Sequence, residues 1–227
     1  MTRGALIVFA KRPEPGRVKT RLCPAFTPAQ AAAFYRAMLG DVLEASAATA
    51  AELGLDAVLA VAPATACAEL ARECPPVFRV VPQHGADLGA RMEWAAAEAA
   101  AGGASPILLR GSDNPALGPA DVRAAHGALA SDDLALVPDR GGGYGLVGLR
   151  RPVPGLFSHP MSTATVLEDT LANAARRDLR VRLLEPCFDI DTVQDLRWLA
   201  ALRDRPEAAR CARTLAYLDA QGLWLAD

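Results

Sequence analysis

A chain of 227 residues, 52% hydrophobic and 22% charged, is long enough for one α/β domain with a substantial core and has an ordinary globular balance. The formal net charge of −2 gives no global field for nucleic acid, no apolar run approaches a membrane span, and the first residues carry no signal-peptide pattern. Five scattered cysteines, an odd number, argue against a disulfide framework and for a reducing cytoplasm.

In chain order, Ala5 to Phe9 is a short apolar run rich in β-branched and aromatic residues, which predicts a buried strand. Two prolines and a glycine then forbid regular structure, so residues 10–22 are a loop at the strand's carboxyl end, where open α/β sheets bind ligands. Five basic residues lie between Lys11 and Arg21 against one acid, Glu14, and the chain's two lysines, Lys11 and Lys19, are both here. Ammonium and guanidinium hold phosphate differently, as point charge and as fork, so the loop reads as a polyphosphate cradle. The plainer reading is a solvated basic loop.

Thr27-Pro28-Ala29-Gln30 is a capping box with proline at the first helical position, opening a helix to about Leu53 with Gly54 as its stop. Strands follow at residues 57–61 and 78–81, with a short Ala-rich helix between them. A loop from Gln83 to Gly89 opens a helix to about Gly102, and a strand at 106–109 ends in Gly111-Ser112-Asp113-Asn114-Pro115. Pro119 starts the next helix; strands at 134–137 and 144–149 flank a glycine-rich turn. Ser162-Thr163 precedes a helix over 164–177, then a strand at 181–184, a capped helix after Thr192 and an amphipathic tail helix over 206–225. Trp94, Trp198 and Trp224 fall at helical positions and are assigned to the core, and His126 is assigned a structural place. Alternating strands and helices without a linker predict a single-domain, Rossmann-like α/β fold with a mostly parallel, doubly wound sheet.

Three acidic clusters bear on chemistry. Asp113 lies just past a buried strand, at the carboxyl end where α/β ligands bind, or else it only closes its own turn. Asp189-Ile190-Asp191 alternates, so both carboxylates face one cavity while Ile190 packs inward. Such a pair suits Mg²⁺ (or Mn²⁺), which binds one or two carboxylates together with substrate phosphates; Asp191 has the alternative of a plain charge at a helix start. Asp139-Arg140-Gly141-Gly142-Gly143-Tyr144-Gly145 leaves room for a flat or phosphorylated ligand. It is not a dinucleotide fingerprint, the chain has no P-loop, and its three histidines form no legible triad. With Ser162 and Thr163 at a helix start, which either favours an anion or is simply capped, this segment is assigned to the acceptor through Asp139, Gly142, Gly143, Tyr144, Ser162 and Thr163.

Phe9 to Leu22, Gln83 to Met92, Gly111 to Pro115, Gly142-Gly143-Tyr144 with Leu146 to Leu149, Met161-Ser162-Thr163 and Asp189 to Thr192 occur together in the order of a known family. Over about residues 4–200 the chain resembles the glycosyltransferase-A-fold transferases associated with radical-SAM and selenodomain proteins and with arsenosugar biosynthesis. It is similar, more distantly, to guanylyltransferases acting on phospholactate or phosphoenolpyruvate and to molybdenum-cofactor nucleotidyltransferases. The resemblance implies a nucleotide-diphospho-sugar transferase fold, a nucleotide or nucleotide-sugar donor, a small polar or anionic acceptor and a divalent metal. Carried residue by residue, Lys11, Arg17, Lys19 and Arg21 would hold phosphates. Ala10, Pro15, Gly16, Thr20, Gln83, Asp87, Leu88, Gly89, Arg91, Gly111 and Ser112 would complete the nucleotide site. Asp113 and Asp191 would be catalytic, holding metal with Asp189. One departure concerns the acid that the family carries before Gly-Gly-Tyr: that position is Gly141, with Asp139 two residues upstream.

Overall fold

The computed structural model describes residues 3–23 and 25–224. Its centre is a seven-stranded sheet in the order β3-β2-β1-β4-β6-β5-β7, built from β1 (Ala5–Lys11), β2 (Asp56–Ala62), β3 (Arg79–Pro82), β4 (Ile107–Arg110), β5 (Leu134–Pro138), β6 (Tyr144–Leu149) and β7 (Val181–Leu183). Six strands run in one direction, and β6 alone is antiparallel to its neighbours β4 and β5. The cause is local: the turn between β5 and β6 is far too short for the dozen or more residues that a parallel crossover requires. The carboxyl ends of the six parallel strands and the start of β6 therefore share one rim.

Helices cover both faces. The strand residues alternate, so that Leu6, Val8, Leu59, Val61, Leu108 and Val137 meet α1 (Pro28–Leu53), α2 (Cys67–Glu73) and α4 (Pro119–Ala128). Ile7, Val58, Leu109, Leu136 and Val147 face α3 (Leu88–Ala101) and α5 (Val166–Ala175) on the other side. A third cluster sits above the rim, where Leu22, Phe26, Phe34, Met38 and Ile190 pack with α6 (Leu196–Ala200) and α7 (Ala212–Gln221). It is this cluster that brings the basic loop and the Asp189–Asp191 segment together.

The capping box at Thr27 forms with both bonds present, and α1 ends at Gly54 in the left-handed conformation, as the sequence predicts. Three expectations need correction. The helix predicted from residue 164 begins at Val166 behind Thr165, so Ser162 and Thr163 do not cap it. The segment after Pro206 opens as a 3-10 turn, Pro206–Cys211, before α7, and residues 225–227 lie outside the described residues. Trp94 is not core: it stays 37% exposed on α3.

Helix α7 is pinned to α1 by Asp41. Its buried carboxylate accepts from the Arg213 N–H at 3.1 Å, the Thr214 N–H at 2.9 Å and the Thr214 hydroxyl at 2.7 Å. Desolvation still holds its pKa above the ordinary carboxylate value, against those bonds. Asp41→Ala leaves three donors without their acceptor and should cost about 2–4 kcal/mol, at about 1–3 kcal/mol per unsatisfied buried group less the relief of a desolvated charge. Thermal denaturation should then shift by roughly 5–15 °C. Asp41→Asn, which keeps an acceptor oxygen and drops the charge, should cost far less; equal losses in the two variants would refute this account.

Candidate active site

The basic loop is fixed by what it buries. Val18 packs against Ala32 and Tyr35 of α1, and Leu22 fills the third cluster at zero exposure. Between these anchors Lys19 adopts the left-handed conformation (φ 48°), uncommon for a non-glycine residue, which ends the turn and sends its side chain inward. Only 4% of that side chain remains exposed. Its Nζ lies 2.5 Å from Asp113 Oδ1 and 3.0 Å from Asp191 Oδ1, and Arg21 Nη1 reaches Asp191 Oδ2 at 3.3 Å. Two oxygens at those distances from one nitrogen are at most 5.5 Å apart, so acids 78 residues apart in the chain meet at one point of the rim.

The loop that carries Asp113 is held from several directions. Arg110, on the same face of β4 as Leu108, points into the α1 side, where it donates to Ser46 Oγ and to the Asn114 carbonyl, each at 3.1 Å. Burial without an acid partner pulls this guanidinium down to about 10, still charged at neutral pH. Asn114 Oδ1 accepts from the Ala116 and Leu117 N–H groups at 2.9 Å, so Asn114, not Asp113, closes the turn and leaves the Asp113 carboxylate for Lys19. Ser112 is buried and shares a 2.7 Å hydrogen bond with Tyr35, whose hydroxyl also receives the Lys11 N–H. The Asp113 carbonyl accepts from the Ile190 N–H, which docks the second acidic segment. Ile190 is fully buried between two acids, as its alternation predicts.

The charges follow from this geometry. Burial alone would lower the Lys19 pKa, but the adjacent Asp113 and Asp191 charges hold it above the ordinary lysine value. Burial would likewise raise Asp191, and Lys19 and Arg21 overcome it, keeping the carboxyl below its usual range. Asp189 forms no ion pair among the described residues: burial, then the charges of Asp113 and Asp139, outweigh the attraction of Lys19 and push it up to about 7. Cys187, two residues earlier, is pushed to about 12 by burial and then by Asp189, and so remains a neutral thiol. A Cβ at Gly145 would stand 2.8 Å from Cys187 Sγ and 3.2 Å from Leu117 Cδ1, which explains why this position has no side chain. Among the described residues, no three His, Cys, Asp or Glu side chains are arranged to hold a metal ion.

The remaining predicted residues surround this centre unevenly. Gln83 donates to the Ala10 and Ala60 carbonyls at 3.1 and 2.9 Å, tying the ends of β1 and β2. The Gly111 N–H reaches the Gly145 carbonyl, linking the acid loop to β6. Lys11, Pro15, Gly16, Arg17 and Thr20 are exposed along the loop. Asp87 accepts from the Ala90 N–H at 2.8 Å as the N-cap of α3, and Arg91 braces its own loop by donating to the Gly85 carbonyl. Leu88 is exposed, and a Cβ at Gly89 would run into the Phe157 carbonyl. Asp87 also lines a cleft of about 480 Å³ with Ala90, Glu93 and residues 157–160, none of which is a Lys19 contact. On the other flank Asp139 accepts from the Gly141 and Gly143 N–H groups and shapes the glycine turn. Gly142, left-handed at φ 87°, sits so close to the Ala164 carbonyl that no side chain fits, and its own carbonyl receives the Leu167 N–H. The turn and the Ser162-Thr163 segment are therefore neighbours, with both hydroxyl residues exposed. Tyr144 bonds Thr170 of α5 at 3.3 Å, its hydroxyl pushed to about 12 by burial. Tyr35, Arg110 and Cys187 are parts of the site that sequence reasoning missed. Only a lone arginine ending an apolar strand hinted at one of them.

The fold is that of the nucleotide-diphospho-sugar transferases, with the acid-and-lysine centre on the carboxyl rim. Residues 44–163 match the family described as "Uncharacterized protein conserved in bacteria (DUF2064)", and the chain belongs to that family. A protein from Desulfovibrio desulfuricans G20, described as a candidate nucleotide-diphospho-sugar transferase, is similar over 100% of both chains, with 30% identity and a TM-score of 0.83. Rv0371c from Mycobacterium tuberculosis H37Rv is similar over 88% of this chain and 99% of its own, at 23% identity and TM-score 0.54. The 4-diphosphocytidyl-2C-methyl-D-erythritol synthase from Anaerococcus prevotii DSM 20548 shares the fold at 9% identity, covering 89% and 99% of the two chains with a TM-score of 0.57. Comparison with curated protein sequences gives no match. No helix among the described residues is long and apolar enough to cross a membrane.

Proposed function

We propose that this protein is a divalent-metal-dependent transferase that takes a nucleotide sugar as donor and passes the sugar to a small polar or anionic acceptor. The observation that carries the reading is the Lys19 ammonium between Asp113 and Asp191, where a basic loop and an acidic cluster share one point of the rim. Phosphates need cations and cations need carboxylates, and a rim offering both suits a metal–diphosphate group. The donor chemistry suits Mg²⁺ or Mn²⁺, whose ligands are hard carboxylate oxygens, although Lys19 stands between Asp113 and Asp191 in this structure and the three acids are not gathered around one point. Asp113 and Asp191, with Asp189 drawn in beside them, would hold the ion once the Lys19 ammonium moves from between them to the phosphates, with Lys11, Arg17 and Arg21 along the loop. When bound, a divalent ion neutralises charge on a departing phosphate. The basic loop binds and orients the donor's diphosphate, and the Gly141–Gly143 turn with Ser162 and Thr163 receives the acceptor. The 30%-identical relative supports the donor class, and finer membership among the radical-SAM- and selenodomain-associated transferases is part of this proposal.

A second reading, nucleotidyl transfer from a nucleoside triphosphate, draws on the loop's five cations, more than a diphosphate requires. Incubation with Mg²⁺ and either nucleotide sugars or nucleoside triphosphates separates the two: nucleoside diphosphate release supports the first, pyrophosphate release the second. Binding without either product would leave a nucleotide-binding module. Restoring the family's acid gives a further test. A Cβ at Gly141 would stand 3.1 Å from Asp139 Oδ1, so Gly141→Asp crowds a second acid onto one already engaged by the turn. Steady-state kinetics should show lower turnover with unchanged nucleotide affinity; increased turnover would mean that Asp139 does not stand in for the missing acid.

A further inference from the structure

Next to the acid centre lies an arrangement that the reading above does not use. Trp198 of α6 packs against the third core cluster, with the Phe188 ring stacked on it at 6.0 Å between centroids. Two guanidiniums converge on the same indole: Arg140 of the glycine turn, with Cζ 4.4 Å from the ring centroid, and Arg197 of α6, at 4.7 Å. The two carbons are thus at most 9.1 Å apart. Both side chains are exposed, and among the described residues neither has a carboxylate or hydrogen-bond partner. Three other arginines behave differently: Arg12 and Arg36 pair with Glu69, and Arg21 pairs with Asp191. Arg140 directly follows Asp139 in sequence, yet it and Arg197 contact a shared ring rather than a carboxylate.

A guanidinium over an indole is held in place by the ring while its N–H groups can still donate, so the pair is positioned without being neutralised. Two like charges held together in this way favour an anion that accepts from both, and an oxyanion meets each fork at about 2.8 Å. The placement on the glycine turn puts such an anion on the acceptor side. We infer that Arg140 and Arg197, ordered by Trp198, form a site for an oxyanion group of the acceptor, a carboxylate or a phosphate. The inference rests on the transferase reading for the word acceptor, but the anion site itself does not.

The test titrates the full chain with inorganic phosphate and, in a second arm, with malonate, following tryptophan fluorescence and heat. The wild-type protein should saturate with at least one of them, and the tighter arm identifies phosphate or carboxylate as the preferred group. Arg140→Gln and Arg197→Gln should each weaken that binding at least tenfold. The fluorescence change should vanish in Trp198→Phe and persist in Trp94→Phe. Saturation unaffected by both arginine substitutions, or lost only in Lys19→Gln, would assign the anion to the basic loop and overturn the proposal, as would no saturation at all. Nucleotides are titrated separately: a wild-type protein that binds none of them yet holds phosphate through Arg140 and Arg197 would end the transferase reading and leave the arginine site standing.

Discussion

Lys19→Ala should weaken nucleotide binding by roughly 1.5–3 kcal/mol, the range for hydrogen bonds to charged groups, or about 10- to 150-fold in affinity. The expectation follows from position rather than charge alone. Lys11 and Arg17 are exposed, and their attraction for phosphate is screened by water and salt. Lys19 is 4% exposed, conformationally fixed by its left-handed backbone, and in contact with two acids of the proposed metal site. Losing it removes a buried phosphate partner and also leaves Asp113 and Asp191 repelling the donor. Lys19→Arg should not rescue, because a planar fork does not fit where a compact ammonium lies between two carboxylates. Calorimetric titration with a nucleotide in Mg²⁺ measures the effect, with circular dichroism confirming the fold. Lys11→Ala should cost much less. Equal affinity for wild type and Lys19→Ala would reduce the loop to a surface feature.

Much of this site was legible because its parts are local. A buried strand followed by Pro13, Pro15 and Gly16 can only be a loop at a strand end, and Asp113 after Ile107 to Arg110 is placed by the same logic. The alternation of Asp189, Ile190 and Asp191 anticipated which residue would be buried. What stayed hidden depends on contacts across the chain. Tyr35 reads as one more residue of an Ala-rich helix until its hydroxyl meets Ser112, seventy-seven positions away. Asn114 and Asp113 are interchangeable as turn formers in sequence, and only the folded loop shows that Asn114 takes the turn and frees the acid. The antiparallel course of β6 was implicit in the short glycine turn, but its insertion between β4 and β5 is a matter of packing. Ser162 and Thr163 resemble caps because most such pairs are; here Ser162 is left-handed (φ 64°) and the helix waits until Val166.

Divalent-cation affinity should climb with pH until about 7 and then level off. Asp189 accounts for this: burial and its acidic neighbours hold its carboxyl at about 7, so below that value it is protonated and must release a proton before it can ligate. One coupled proton lowers affinity about tenfold for each pH unit below 7. The sign is opposite for the metal-free fold. A carboxyl raised from about 3.9 in the unfolded chain to about 7 in the native one contributes stability that is complete below about pH 4 and is lost as pH rises to 7. Saturating Mn²⁺ or Mg²⁺ should reverse that loss, because it binds the ionised native state and not the unfolded chain. Thermal denaturation at pH 5, 6, 7 and 8, with and without metal, should therefore show the metal's stabilising shift growing with pH and flattening above 7. Calorimetry in two buffers of different ionisation enthalpy should count close to one proton released per ion at pH 6. Asp189→Asn should remove both the slope and the released proton. If the variant keeps the pH dependence of the wild type, the proton belongs to another group and Asp189 does not ligate the ion.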